Sequence, residues 1–266
     1  MPHINVNGVN IFYTDQGNGD ETIVFSHGLL WSHRMFQDQI DFLKSRFRVI
    51  AYDHRGQGQS EVKGPFDMDA ISEDAAELIK ELSDGPVHFA GLSMGGFVGM
   101  RLAARFPELI KSLILMETSA NAEPIENISK YKTLNGFVKL IGIRTPIANK
   151  VIKIMFAESW LNDPLNSEKI NFWKSELKAN KKNVTGPVEG VIYRKGIEKE
   201  LVRIACPTMV LVGDEDVATT PAKAKFIQMS IRKSKLHTIP GAGHSSCIEK
   251  PKEINRLIGD WLVQWS

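Results

Sequence analysis

The chain has little cysteine: Cys206 and Cys247 are the only two in 266 residues. Two isolated thiols cannot build a disulfide framework, and neither sits at the spacing of a zinc ligand set, so no metal is expected. Cys206 precedes Pro207 at the start of a strand and reads as structural, whereas Cys247, three positions after His244, is placed to line a site there. Long apolar runs are also missing. None approaches the roughly 20 residues of a membrane-spanning helix. The amino-terminal stretch Met1-Pro2-His3-Ile4-Asn5-Val6-Asn7-Gly8 has neither a charged leader nor an apolar core, as expected of a cytoplasmic chain with no membrane attachment. No charge sign dominates: 33 Lys and Arg against 31 Asp and Glu leave a formal +2. With aromatics not interleaved among basic residues, this excludes an ordinary nucleic-acid surface. What the composition does supply is 42% hydrophobic residues, enough for one domain that carries an insertion.

The order of apolar segments predicts a mostly parallel, eight-stranded sheet. Short strands near 4–6 and 11–13, joined by Asn7-Gly8, suggest an antiparallel hairpin, since Asn-Gly adopts the left-handed turn a hairpin needs. Strands near 22–26, 48–52, 87–90, 113–117, 208–212 and 235–239 are separated by segments long enough for crossover helices, as parallel pairing requires. Their near-continuous apolar character predicts helices on both faces, hence an α/β fold.

Within that frame Gly91-Leu92-Ser93-Met94-Gly95 stands between the strand around Val87-His88-Phe89-Ala90 and a helix running to Arg105. A serine on a tight strand-to-helix turn is lifted out of the fold, and only glycine neighbours let strand and helix approach so closely. The helix's first amides have no internal partners, so the Met94 N–H is aimed where negative charge would develop on a substrate oxygen. A serine hydroxyl is a weak nucleophile, so a base must take its proton and an acid must orient that base. Candidates follow in chain order. Asp214, Glu215 and Asp216 lie on the loop after Thr208–Val212, and Glu117 follows Leu113–Met116. His244 lies in Gly241-Ala242-Gly243-His244-Ser245-Ser246 after Lys235–Ile239. Of the six other histidines, four have ordinary readings: His88 and His237 lie inside strands, His3 is near the amino terminus and His33 precedes a helix. Each candidate falls just past the carboxyl end of a strand, where α/β sheets open their ligand crevices.

These motifs, with His27-Gly28-Leu29-Leu30 after the third strand and Asp53-His54-Arg55-Gly56-Gln57-Gly58-Gln59-Ser60 after the fourth, resemble the α/β-hydrolase superfamily. The likeness is to its bacterial carboxylesterases, non-haem perhydrolases and 3-oxoadipate enol-lactonases. The resemblance implies Ser93 as nucleophile, His244 as base and Asp216 as acid, the last on the family's Gly-x-x-Asp spacing. It also implies an oxyanion hole from the Leu29 and Met94 amides, with His27 and residues 53–60 supporting it. The implied activity is a serine hydrolase cleaving a carboxylic ester or lactone through an acyl-enzyme, with no cofactor. Serine at position 93 argues against the related enzymes that need a carboxylate nucleophile. Lactonase action on enol-lactones or acyl-homoserine lactones, perhydrolysis, and a ligand receptor on the same fold remain alternatives, and oligomeric state is not legible.

Residues 121–200 break the strand–helix rhythm, and a structureless loop of that length is implausible in a compact domain. Helix-spaced apolar positions, Tyr131, Leu134, Phe137, Val138 and Ile141, then Ile147, Val151, Ile154 and Met155, predict a helical cap over a core made of 1–120 and 201–266. Phe137, Met155, Phe156 and Trp160 are expected to form the apolar wall of a substrate pocket. The cap holds 14 Lys or Arg against 9 Asp or Glu, a net +5 against −3 for the remainder. Such a surface either attracts carboxylate-bearing substrates or is a set of solvated helix faces.

Overall fold

A computed structural model describes residues 2–266. Its eight strands are β1 His3–Val6, β2 Val9–Gln16, β3 Thr22–Ser26, β4 Arg48–Tyr52, β5 Val87–Leu92, β6 Ile110–Met116, β7 Thr208–Gly213 and β8 Ser234–Ile239. They form one sheet in the order β1-β2-β4-β3-β5-β6-β7-β8. β1 and β2 make the predicted hairpin, with Asn7 and Gly8 both at positive φ, 50° and 74°. β2 runs antiparallel to β4, and every later pair is parallel.

Alternation along each strand sorts side chains onto two faces, because successive residues point to opposite sides of a sheet. Ile23, Phe25, Val49, Ala51, Ile114, Met116, Met209 and Leu211 belong to one buried cluster. Their neighbours Val24, Ile50, Tyr52, Phe89, Leu113, Leu115, Val210 and Val212 belong to the other. Helices α1 (Gln37–Leu43) and α11 (Pro251–Trp265) contribute Ile40, Leu43, Ile254, Ile258, Trp261 and Leu262 to the first. Helices α2 (Met68–Leu82) and α3 (Met94–Arg105), with α9 (Pro221–Ser230), cover the second. At the start of α2, Asp67 caps the helix by accepting the free amides of Asp69 and Ala70, both at 3.1 Å.

Between β6 and β7 the chain is helical: α4 Ile125–Ile141, α5 Thr145–Met155, α6 Glu158–Asn162, α7 Ser167–Ala179 and α8 Thr185–Ile192, with short 3-10 turns. α10 (Ser246–Glu249) follows β8. The inserted helices join the first buried cluster through Val138, Ile147, Val151, Phe156, Trp160 and Trp173. Trp31, on the loop after β3, meets Trp173 edge-on at 5.1 Å and Phe156 at 6.1 Å, fastening the insertion to the sheet side. No described helix is long and apolar enough to cross a membrane.

Candidate active site

Ser93 sits between β5 and α3 with φ 52° and ψ −108°, a conformation non-glycine residues avoid. Its two glycine neighbours are required by close approach. A Cβ on Gly91 would lie 2.2 Å from the Gly95 carbonyl oxygen, and one on Gly95 would lie 1.9 Å from that of Ser26. The sharp turn thus wedges α3 against β3 and leaves the Ser93 side chain facing the crevice.

His244 Nε2 is 2.9 Å from Ser93 Oγ, and His244 Nδ1 is 2.9 Å from Asp216 Oδ2. The acid is further held by the Ala218 and Thr219 amides on Oδ1, at 2.8 and 2.9 Å, and by the Thr219 hydroxyl on Oδ2 at 2.7 Å. Burial pushes the Asp216 carboxyl up, but the charge of His244 and these hydrogen bonds outweigh it and hold the group down at about 2. An ionised carboxylate can only accept, so His244 carries its proton on Nδ1 and turns the Nε2 lone pair to the Ser93 hydroxyl. Thr219 Oγ1, 3.2 Å from His244 Nδ1, completes the cluster. Sequence reasoning passed over Thr219, although a hydroxyl three residues after an aspartate in a loop is a common turn partner.

The competing acids have other partners. Asp214 accepts the Gly241 amide at 2.8 Å and so ties two loops together. Glu215 accepts the Ser159 amide at 3.0 Å, reaching the inserted helices. Glu117 is fully buried at φ 41°, and burial raises its carboxyl well above the ordinary range, the opposite of the shift at Asp216. Glu249, another residue passed over, brackets His244 by accepting the amides of Gly243 at 3.0 Å and Ser245 at 3.1 Å, and also that of Ala157 at 2.8 Å. Burial outweighs these bonds and pushes its carboxyl up to about 7. Cys247 does not line the crevice. It is fully buried beside the Met35 carbonyl, and burial drives its thiol well above the usual range.

Among the described residues, neither the Leu29 nor the Met94 amide has an acceptor. The loop carrying Leu29 is fixed from behind: the Leu30 amide donates to Gln57 Oε1 at 2.7 Å, and His27 Nε2 accepts the His54 amide at 3.0 Å. His27 Nδ1 faces the Gly28 carbonyl at 2.7 Å, which sets its tautomer, and burial lowers its basicity. Asp53 anchors the neighbouring turn, accepting the His33 amide at 2.7 Å and the Gln59 amide at 2.8 Å. His33, which reads as ordinary in the sequence, is thus a structural partner of that turn.

A cavity of about 170 Å³ opens at Ser93, Thr219 and His244. Met155 lines it, with Ile147, Val151 and Ile154 of α5 and Leu134 and Val138 of α4. The other three expected wall residues do not. Phe137 is 54% exposed, because it falls off the stripe that Tyr131, Leu134 and Val138 turn inward. Phe156 and Trp160 are buried and stack on each other at 4.7 Å, so they hold the insertion together and do not line the cavity. No group of three or more potential metal-ligating side chains occurs among the described residues.

The sheet order, the strained serine between β5 and α3, and the loops that bring an acid and a histidine to it form one continuous arrangement at the carboxyl ends of the strands. A family model for the alpha/beta hydrolase fold matches residues 21–251, and the chain belongs to that family. It is similar to 3-oxoadipate enol-lactonase 2 of Acinetobacter baylyi, 29% identical over 259 residues that cover 94% of this chain and 92% of that protein. A thermophilic esterase from Thermogutta terrifontis superimposes with a TM-score of 0.91 at 27% identity, covering 99% of this chain and 98% of that one. The enol-lactonase from Burkholderia xenovorans LB400 does so with a TM-score of 0.90 at 26% identity, covering 98% and 100%.

Proposed function

We propose that the protein is a serine hydrolase that cleaves a carboxylic ester or lactone through a covalent acyl-enzyme. The observation that carries this reading is the unbroken relay from Ser93 Oγ through His244 to an ionised Asp216, both links at 2.9 Å. His244 takes the Ser93 proton as Oγ attacks the carbonyl carbon, and Asp216 stabilises the imidazolium that forms. The Leu29 and Met94 amides, free of protein acceptors, receive the oxyanion of the tetrahedral intermediate. His244 then returns the proton to the departing alkoxide oxygen. A water activated by the same imidazole releases the acid and regenerates Ser93. The scheme calls for no metal or cofactor.

The enol-lactonase and esterase relatives support this substrate class. Residues 121–200 serve in this reading as a cap, whose aliphatic α4 and α5 side chains wall the cavity above the reacting groups. Ser93→Ala should lower kcat on p-nitrophenyl butyrate by about 10³-fold or more, abolish labelling by a fluorophosphonate, and leave the circular dichroism spectrum unchanged. Near-normal turnover by this variant would rule the mechanism out.

A further inference from the structure

The catalytic cavity carries a second polar patch that the acyl-transfer scheme does not use. Arg194, just past the end of α8, and Glu123, on the loop after β6, both line it. Their side chains are 4% and 12% exposed and pair at 2.8 Å. Arg194 Nε donates to the Asn121 carbonyl at 3.1 Å, and Nη1 donates to Glu123 Oε2 at 2.8 Å and to the Val191 carbonyl at 2.9 Å. The remaining Glu123 oxygen accepts from Asn127 Nδ2 at 2.9 Å. Among the described residues Nη2 has no acceptor, so one edge of the guanidinium is unspent at the wall of a mainly aliphatic cavity. Its place is fixed, for Cζ lies 4.4 Å from the centre of the Phe97 ring. Phe97 is one helical turn beyond Ser93, its amide bonded to the Ser93 carbonyl at 3.0 Å.

We infer that the Arg194–Glu123 pair is a specificity site that takes a neutral oxygen acceptor, a ketone or second ester carbonyl, on a substrate whose reacting carbonyl lies at Ser93. This rests on the hydrolase reading above and narrows its substrate class to oxygenated esters or lactones. Burying an arginine beside an aliphatic cavity is unfavourable unless its donors are used, and three of its contacts already serve that end. The fourth edge is satisfied only by a ligand or water. Glu123 cancels the positive charge, so the patch offers a directed donor without a net field. A carboxylate placed there would bring an uncompensated negative charge into an apolar enclosure, whereas a carbonyl oxygen would not.

The test compares kcat/KM for ethyl hexanoate with ethyl 4-oxohexanoate and ethyl 5-oxohexanoate, and with the half-ester monoethyl adipate. At least one oxo ester should exceed the plain ester by about tenfold, the worth of one hydrogen bond to a charged donor, and the half-ester should not exceed it. In Arg194→Gln/Glu123→Gln the ratio of oxo to plain ester should fall toward one. Arg194→Lys, which keeps a cation beside Glu123 but lacks the planar fork, should lose the ratio as well and guards against misfolding of the double variant. A ratio near one in the unaltered protein, a ratio that survives both variants, or a half-ester that outperforms both oxo esters would overturn the assignment. Calorimetric Kd values for the same esters on Ser93→Ala separate the two readings. Discrimination in binding without turnover in the unaltered protein sinks the hydrolase and spares the specificity site, and its absence in binding sinks the site alone.

Discussion

Asp216 is held by four hydrogen bonds and by the charge of His244, and its carboxyl stands at about 2 against an ordinary 3.8. Between those two values the native chain binds fewer protons here than the unfolded chain, so stability rises with pH across the window. The contribution, roughly 2 kcal/mol, is present above pH 4 and lost as pH falls through 2. Urea unfolding of Asp216→Asn at a series of pH values should therefore show a shallower loss of stability below pH 4. The same variant should lower kcat by about 10³–10⁴-fold, because an amide also accepts poorly from Nδ1–H and favours the wrong imidazole tautomer. An unaltered acid slope would show that Asp216 is not held as described. At this scale the sequence is informative where chemistry demands a residue type, as at Ser93, Asp216 and His244, which the fold brings within hydrogen-bond reach. It is silent where a role is set only by neighbours. Nothing in the identity of Glu249 announces that its carboxylate brackets the His244 loop, and Arg194 is one of 14 cations in residues 121–200 until burial sets it apart.

Elements were legible where a continuous apolar run ends in a turn. β3 and β4 match the expected 22–26 and 48–52 in full. β2 runs to Gln16, beyond the expected 11–13, because pairing with β4 recruits polar residues such as Asp15, which also binds Arg48 at 2.7 Å. β6 begins at Ile110, ahead of 113, because Ser112 interrupts the apolar run yet is wholly buried, bonded to His88 Nδ1 at 2.7 Å and to the Trp261 indole at 3.0 Å. In the inserted helices periodicity marked Tyr131, Leu134 and Val138, which line the cavity, but it also took in Phe137 and Ile141, which are 54% and 48% exposed, and residue size misled. Aromatic bulk at Phe156 and Trp160 packs element to element, and the cavity wall from α5 is left to the non-aromatic Ile147, Val151, Ile154 and Met155. Trp160→Ala should accordingly cost about 3–5 kcal/mol of stability, seen as a lower midpoint in guanidinium unfolding, while the acyl-chain preference of the surviving folded protein stays unchanged. A shifted preference without destabilisation would return Trp160 to the pocket wall.

At the scale of the whole molecule, the inserted helices and the sheet share one apolar cluster, joined through Trp31 and supplemented by ion pairs such as Arg34–Glu176 at 2.9 Å and Arg105–Glu200 at 2.7 Å. The net +5 of residues 121–200 resides mainly on outward faces: Lys130, Lys132, Lys139, Lys150 and Lys153 are all exposed. Only Arg194 among those cations lines the cavity, and Glu123 neutralises it. That division between solvated charge and apolar interior could not be read from a charge count, which carries no direction.

The backbone at Ser93 has a further consequence for the molecule as a whole. A side chain held at φ 52° and ψ −108° is a local defect that the rest of the fold tolerates. Relieving it with Ser93→Gly should raise the melting temperature by a few degrees even after the added freedom of the unfolded chain, and should leave a protein unable to acylate. Calorimetric scans of the two proteins would settle the matter, an equal or lower melting point for the glycine form counting against it. The position proposed as the nucleophile would then also be one its architecture would be sturdier without, so that selection for thermal endurance alone would erase it.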